Sequence, residues 1–313
     1  MANPRPVPVR TRSAVTAAVA AERFGAAGSA VLDWYAINGR DLAFRGTTDP
    51  WAILVSEVMA QQTQAARAAE AWTRFMTEFP TPAALAAASP ATVIRAWRGL
   101  GYNRRAVALR NASISIVEDH DGRVPETLEA LVKLPGIGPY TARAVLAIAF
   151  NQPVAAMDVN IRRVLGRALV PSNLKPAELQ AFADRLVPEG HAATWTHALM
   201  DIGAAFCRPS DPRCEECPLR NSCLYAATPE PMAKISRQSG AKPPAPFPST
   251  TRWLRGRILD RLRDAPDWIV FDGAIGSHDH TAVLASLSRL SNEGMIELDH
   301  ARARLVGACG HAD

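Results

Sequence analysis

The sequence predicts a mainly α-helical chain that ends in a small mixed module, and three observations lead there. Hydrophobic residues make up 48% of the 313 residues, but aromatics only 6%, and alanine is abundant. An Ala-rich, aromatic-poor core favours helices over sheets. From about Ala14 to Phe206, short apolar stretches at helical spacing follow one another without βαβ alternation or any long period-2 run. Finally, residues Thr228 to Thr250 hold six prolines with Ser, Gly and Lys, the composition of a linker.

Taken in order, residues 1–12 carry prolines and arginines without an apolar core and are expected to lack fixed structure. Residues 13–227 form the helical domain. Within it, Pro50 to Met59 opens behind Asp49 as N-cap, with proline in the first helical position. Ala83 to Ala88, Ala91 to Trp97 and Arg104 to Asp119 follow, each behind Pro, Ser or Asn punctuation, and Leu128 to Lys133, Thr141 to Phe150 and Ile161 to Leu169 continue the series. After the 228–250 linker, residues 251–313 read as helix (Trp253 to Arg263), helix (Thr281 to Asn292) and two short strands (Gly294 to Leu298, Ala303 to Val306). That order predicts a winged-helix-like module, a form that binds DNA in some proteins and protein in others.

There are 35 basic and 30 acidic residues, a net charge of +5, which fits a nucleic-acid partner without requiring one. Only Lys133, Lys175, Lys234 and Lys242 are lysines, so few amines are present to attack a sugar. No run of 18 apolar residues spans a membrane, and no signal peptide opens the chain. A cytoplasmic protein, nucleoid-associated while acting on DNA, and a monomer are the expectations.

Four of the five cysteines cluster as Cys207-x6-Cys214-x2-Cys217-x5-Cys223. Thiolates are soft ligands, and four close together bind zinc or an iron–sulfur cluster. Zinc sites favour two C-x2-C-like pairs, and here only the middle pair has that spacing. The 6-2-5 loop resembles the cluster loop of the endonuclease III superfamily, which implies a 4Fe–4S centre. Arg208, Arg213 and Arg220 in the loop either face phosphate or form a solvated surface. Cys309 stands apart, with no role to assign.

Leu134-Pro135-Gly136-Ile137-Gly138-Pro139-Tyr140-Thr141 joins two predicted helices. Its glycines permit positive φ and close backbone approach, and the following helix offers free N–H groups to a phosphate. An ordinary tight helix–helix turn uses glycine too. No strand precedes the segment and a third glycine is missing, so it is not a dinucleotide fingerprint. It matches the helix-hairpin-helix consensus of DNA-binding proteins.

Cleaving an N-glycosidic bond takes one carboxyl to protonate the leaving base and one carboxylate to stabilise the sugar cation. Glu57 sits in an apolar helix, either on an exposed stripe or partly buried with a raised pKa. Asp158 is an N-cap position, and capping does not exclude catalysis. Gln61, Gln62 and Thr63 are short polar groups suited to base edges and to the gap left by a flipped base.

Together, Ser56-Glu57-Val58-Met59-Ala60-Gln61-Gln62-Thr63-Gln64, Gly99-Leu100-Gly101-Tyr102, the hairpin, the Asp158 segment and the cysteine loop resemble the MutY-type adenine DNA glycosylases over about Asp33 to Leu224. The resemblance implies two helical lobes with a cleft that takes duplex DNA carrying a mismatched or damaged pair. It implies Glu57 as general acid, Asp158 as the carboxylate at the sugar and Asn160 as its polar neighbour. Gln62 falls on a wedge and Thr63 lies beside the opposite base. Arg45, Gln61, Tyr102, Leu134, Gly136, Gly138 and Thr141 fall on DNA-contacting positions. Tyr140 stands where strand-cutting relatives carry a lysine that forms a Schiff base, so base removal without efficient strand cleavage is expected.

Three features depart from the pattern. Ala43-Phe44 replaces a Pro-Trp pair, Asn103 stands where an aromatic often inserts into the stack, and the usual Nudix-like C-terminal domain has no counterpart. Ser277-His278 is weak grounds for comparison with that domain's recognition loop. A thymine or uracil mismatch glycosylase, a non-catalytic DNA-binding protein and a zinc-ribbon module remain the rival readings.

Overall fold

In the computed structural model, helices begin where the sequence supplies caps. Asp49 accepts the N–H of Trp51 at 3.0 Å ahead of Pro50. Thr81 and Ser89 cap Ala84 and Thr92 ahead of Pro82 and Pro90, and Asp158, Thr250 and Asp279 cap three later helices. Each satisfies a first-turn N–H that the helix itself leaves unpaired, worth about 1 kcal/mol.

The structure describes residues 10–169, 174–227 and 245–308. The expectations for residues 1–9, for most of the linker (228–244) and for Cys309 lie outside the described residues. Residues 10–12, expected without structure, belong to the first helix. The helices are α1 (Arg10–Asn38), α2 (Pro50–Ala60), α3 (Ala65–Glu78), α4 (Pro82–Ala87), α5 (Pro90–Ala96), α6 (Arg104–Asp119), α7 (Leu128–Lys133), α8 (Pro139–Ile148), α9 (Val159–Ala168), α10 (Pro176–Arg185), α11 (Ala192–Ala205), α12 (Leu224–Ala227), α13 (Thr251–Asp264) and α14 (His280–Asn292). Among the described residues three strands follow α13, namely β1 (Ile269–Val270), β2 (Ile296–Asp299) and β3 (Arg302–Leu305). The mainly α expectation holds.

Two compact units form, and they do not follow chain order. One draws on Met1–Asp41 and Leu146–Ile235, the other on Leu42–Val145 and Ser236–Asp313. The expected domains, residues 13–227 and 251–313, are bounds drawn along the chain and not by contacts. In the first unit, Ala27 and Val31 of α1, Val164 and Leu165 of α9, and Ala198, Leu199 and Ile202 of α11 share one core. Buried Asp201 of α11 accepts the backbone N–H of Arg40 at 3.0 Å and its Nε at 2.6 Å, which ties the chain after α1 to α11.

The second unit is built around α2, in which eight of eleven residues are buried. Phe75 of α3 packs on Phe79 (4.7 Å between centroids) and edge-on to Trp97 (5.7 Å). The C-terminal module joins this unit. Its antiparallel sheet has the order β1-β3-β2, with Ile296 opposite Leu305 and Ile269 opposite Ala303. The expected ribbon is therefore present, and the two-residue β1 adds an edge too short to read in the sequence. Leu254, Ile258 and Leu262 of α13 and Val283, Leu287 and Leu290 of α14 cover the sheet, and Ala91 and Ile94 of α5 complete the same core. His278 stacks on Trp253 at 5.9 Å, with Nε2 3.1 Å from the Pro248 carbonyl, so it packs within the module.

One buried side chain joins the module to its unit. Arg263, 7% exposed, donates from Nε to the Ile94 carbonyl (2.9 Å), from Nη1 to Asp260 (2.9 Å) and from Nη2 to Asn103 Oδ1 (2.6 Å). Asn103, the departure noted above, thus anchors the module. Arg95 returns the contact by donating to the carbonyls of Arg263 (3.3 Å) and Ala265 (3.2 Å). Replacing Arg263 with alanine leaves Ile94 and Asn103 without their donor. The expected loss is about 3 kcal/mol, read as an earlier urea midpoint at unchanged m-value.

Candidate active site

Glu57 is the one half-buried residue in the run Trp51 to Met59, and the rest of that run is buried. The exposed-stripe alternative is thereby settled against. Tyr140, the second residue of α8, donates its hydroxyl to Glu57 Oε2 at 3.0 Å. A carboxyl in this setting is in contact both with a polar partner and with apolar packing.

Past Glu57, α2 ends in a polar turn held by Arg105 of α6. Arg105 Nη1 donates to the carbonyls of Val58 (2.7 Å), Met59 (3.0 Å) and Gln61 (2.6 Å). Its Nη2 reaches the carbonyls of Leu100 and Gly101, both at 3.1 Å, and Thr63 Oγ1 at 3.3 Å. Burial lowers the Arg105 pKa to about 10, so it remains charged at neutral pH. Sequence reasoning passed over this residue, because most of its acceptors are backbone carbonyls, three of them more than 40 positions away. Gln62 at φ 54° and Tyr102 at φ 44° are non-glycine residues in the left-handed region. Such strain persists where the surroundings impose it, and it clusters at binding sites.

The hairpin exposes Gly136 and Gly138. Gly136 has φ 77°, and a Cβ there would stand 2.6 Å from the Ala108 Cβ, so close packing on α6 also requires glycine. Gly138 faces open space, which leaves its backbone approachable. Two of the residues expected at DNA have buried side chains. Leu134 is 3% exposed and Thr141 2%, the first because it packs in the core, the second because its hydroxyl accepts from Gln61 Nε2 at 3.2 Å. Arg45 is half-buried on the turn Ala43–Gly46, and Phe44 beside it packs edge-on to Trp72 at 6.3 Å.

In the other unit, Asp158 is half-buried and caps α9, with Oδ1 accepting the N–H of Ile161 at 2.6 Å. Its second oxygen accepts from Asn160 Nδ2 at 2.9 Å. Asn160 Oδ1 accepts from Arg163 Nη2 at 2.8 Å, Arg163 also donates to the Gly203 carbonyl at 2.8 Å, and its Nε donates to the Cys207 carbonyl. A continuous chain of hydrogen bonds therefore runs from the cysteine loop to Asp158, and neither Arg163 nor Gly203 stood out in the sequence.

The four cysteines line one cavity with Val164, Arg167 and Leu219. Two short 3-10 turns, Cys214–Glu216 and Arg220–Ser222, shape the loop. Arg167 Nη1 donates to Cys207 Sγ at 3.6 Å and to the Arg208 carbonyl at 2.7 Å. Burial pushes the Cys217 thiol up to about 11 and also raises Cys214, with the neighbouring thiolates adding to both. Among the described residues, no three Cys, His, Asp or Glu side chains converge to the spacing that one metal ion needs. The loop arginines are not a bare phosphate-facing patch, since Arg208 lies 4.0 Å from Asp211, Arg213 pairs with Glu216 and Arg220 with Glu215.

Residues 55–189 match the model of the HhH-GPD superfamily of base excision DNA repair proteins. The adenine DNA glycosylase of Mycolicibacterium smegmatis is 40% identical over 239 residues, 75% of this chain and 80% of that protein. The adenine DNA glycosylase of Mycobacterium tuberculosis is 42% identical over 241 residues, 75% of this chain and 78% of that protein. The solved structure of a thermostable thymine-DNA glycosylase superposes with a TM-score of 0.62 at 29% identity, covering 66% of this chain and 97% of that one. The chain belongs to the adenine DNA glycosylase family within the HhH-GPD superfamily of base excision DNA repair proteins. Among the described residues no helix is long and apolar enough to cross a membrane.

A Cβ on Gly203 would lie 2.6 Å from the Cβ of Asn160. Gly203→Ala must therefore push the start of α9 away from α11. The expected cost is about 1–3 kcal/mol, seen as a lower melting temperature, together with faster amide exchange at Ile161, whose N–H loses its cap.

Proposed function

We propose that the protein is a monofunctional DNA glycosylase that hydrolyses the N-glycosidic bond of adenine paired with 8-oxoguanine or guanine in duplex DNA. The observation that carries this reading is the 3.0 Å contact of half-buried Glu57 with Tyr140 at the hairpin helix, in a chain 40 and 42% identical to proteins named adenine DNA glycosylase. The likeness to a thymine-DNA glycosylase makes thymine opposite guanine the competing substrate. The lower identity of that relative weighs against it.

In this reading Glu57 protonates the adenine ring while the bond from the base to C1′ breaks. The bonding electrons leave with the base and the sugar carries positive charge. Asp158 stabilises that charge as an ionised carboxylate, by proximity or by a transient bond to C1′. Asn160, hydrogen-bonded to Asp158, fixes its second oxygen. Water adds its oxygen to C1′ and its proton returns to Glu57, leaving adenine and an abasic site. Tyr140 has no amine, so the strand stays intact until alkali cleaves it. Gln62 fills the vacated stack, Gln61, Thr63, Tyr102 and Arg45 contact the DNA around it, and the backbone at Gly136 and Gly138 seats phosphate.

We assign Cys207, Cys214, Cys217 and Cys223 to a 4Fe–4S cluster. Four soft donors around one cavity fit a metal group. When bound, the cluster supplies four covalent tethers that fix the loop after α11, and through Arg163 the loop holds Asn160.

Two measurements check these assignments. In single-turnover assays, Glu57→Gln is expected to slow adenine release about a thousandfold and Tyr140→Phe roughly tenfold, both with DNA affinity kept; a Glu57→Gln enzyme near wild-type rate contradicts the assignment. Purified protein should be brown and contain iron and acid-labile sulfide, and Cys214→Ser should lose both colour and iron. A colourless protein containing zinc overturns the cluster.

A further inference from the structure

The C-terminal module does not hang away from the elements read as DNA contacts. A single cleft of about 980 Å³ is lined on one side by Gln61, Gln62 and Tyr102, and on the other by Phe247, Arg252 and Arg257. The module is fixed there by the core it shares with α5, by Arg263 and by the bond from the Ala91 N–H to the Val306 carbonyl at 2.9 Å. The module therefore forms a rigid wall of this cleft.

The cleft is strongly cationic. Seven arginines and two carboxylates line it. Both carboxylates are engaged by arginines of the module, Glu293 by Arg255 at 2.9 Å and Asp260 by Arg257 at 2.7 Å and Arg263 at 2.9 Å. Arg252 has neither of them as partner. It is exposed, and its guanidinium lies 4.7 Å over the Tyr102 ring and 5.3 Å over Phe247, with Nη1 donating to the Tyr102 hydroxyl at 2.8 Å. Arg105 approaches the same tyrosine ring at 5.8 Å. A guanidinium held by aromatic rings is oriented without being neutralised, and its planar fork of N–H donors suits phosphate oxygens. Tyr102, in turn, is held in its left-handed backbone conformation from both sides.

We infer that α13 is a DNA-binding element, in which Arg252 and Arg257 take backbone phosphates of the duplex and Arg252 positions Tyr102 beside the wedge residue Gln62. The inference rests on the reading of Gln61, Gln62 and Tyr102 as DNA contacts. It gives the C-terminal module a place in substrate binding, through the sugar–phosphate backbone.

The test is binding of the full chain to a fluorescent undamaged duplex and to one with an abasic-site analogue, across a salt series. Arg252→Gln and Arg257→Gln are each expected to weaken binding roughly three- to tenfold and to reduce the slope of log K against log salt by about one. Arg261→Gln, exposed on the same helix but outside the cleft, should leave both unchanged. If Arg252→Gln melts early, Arg257→Gln carries the test, because Arg257 pairs with Asp260 and stacks on Trp253 and does not touch Tyr102. Unaltered slopes in a folded Arg257→Gln protein overturn the inference. The readout does not depend on base release: a wild-type enzyme active on adenine with unaltered slopes sinks this inference alone, and an inactive protein with reduced slopes sinks only the substrate.

Discussion

The guanidinium of Arg105 touches six acceptors drawn from two segments, the end of α2 through Thr63 and the loop at Leu100 and Gly101. A helix C-terminus leaves its last carbonyls unpaired. Here one cation satisfies them and clamps the neighbouring loop with the same group. Charge-assisted bonds of this kind are the stronger ones, and they offset the desolvation that lowers the Arg105 pKa. The consequence reaches every polar residue of the turn. Gln62 and Tyr102 keep left-handed backbones because their flanking carbonyls are held, and Gln61 can reach Thr141 because the turn does not fray.

A comparable constraint governs the Asp158 segment in the other unit. The cap places one carboxylate oxygen on Ile161, and Asn160, Arg163 and the Cys207 carbonyl extend the hold to the cysteine loop. Gly203 lets α11 come close enough for this chain to close. The loop and the carboxylate are thus parts of one hydrogen-bonded system, and a metal group that fixes the loop would reach Asp158 through it.

Much of this was legible from residue type and spacing. Helix starts at Asp49 and Asp158 follow from short polar side chains that accept backbone N–H groups, and the hairpin follows from glycines that a side chain would strain or crowd. The cysteine loop was legible from donor chemistry. What escaped depends on contacts distant in sequence. Arg105 and Arg163 carried no signal in the sequence, because backbone carbonyls have no residue-specific signature. Ala91 and Ile94 gave no sign that α5 completes the core of a module beginning some 150 residues later. Asn103 read as a lost aromatic, whereas it receives the buried Arg263. Leu134 and Thr141 were placed correctly in the hairpin, but sequence could not tell a side chain turned into the core from one turned outward.

In the proposed reaction Glu57 and Asp158 serve hydrolysis of a purine glycosidic bond. The most direct measurement is base release from labelled duplexes carrying A opposite 8-oxoguanine, A opposite G, T opposite G and U opposite G, each read with and without alkali. Cleavage at adenine alone, and only after alkali, is the expected result. Cleavage at thymine or uracil would contradict the substrate, and strand cutting without alkali would contradict the role given to Tyr140.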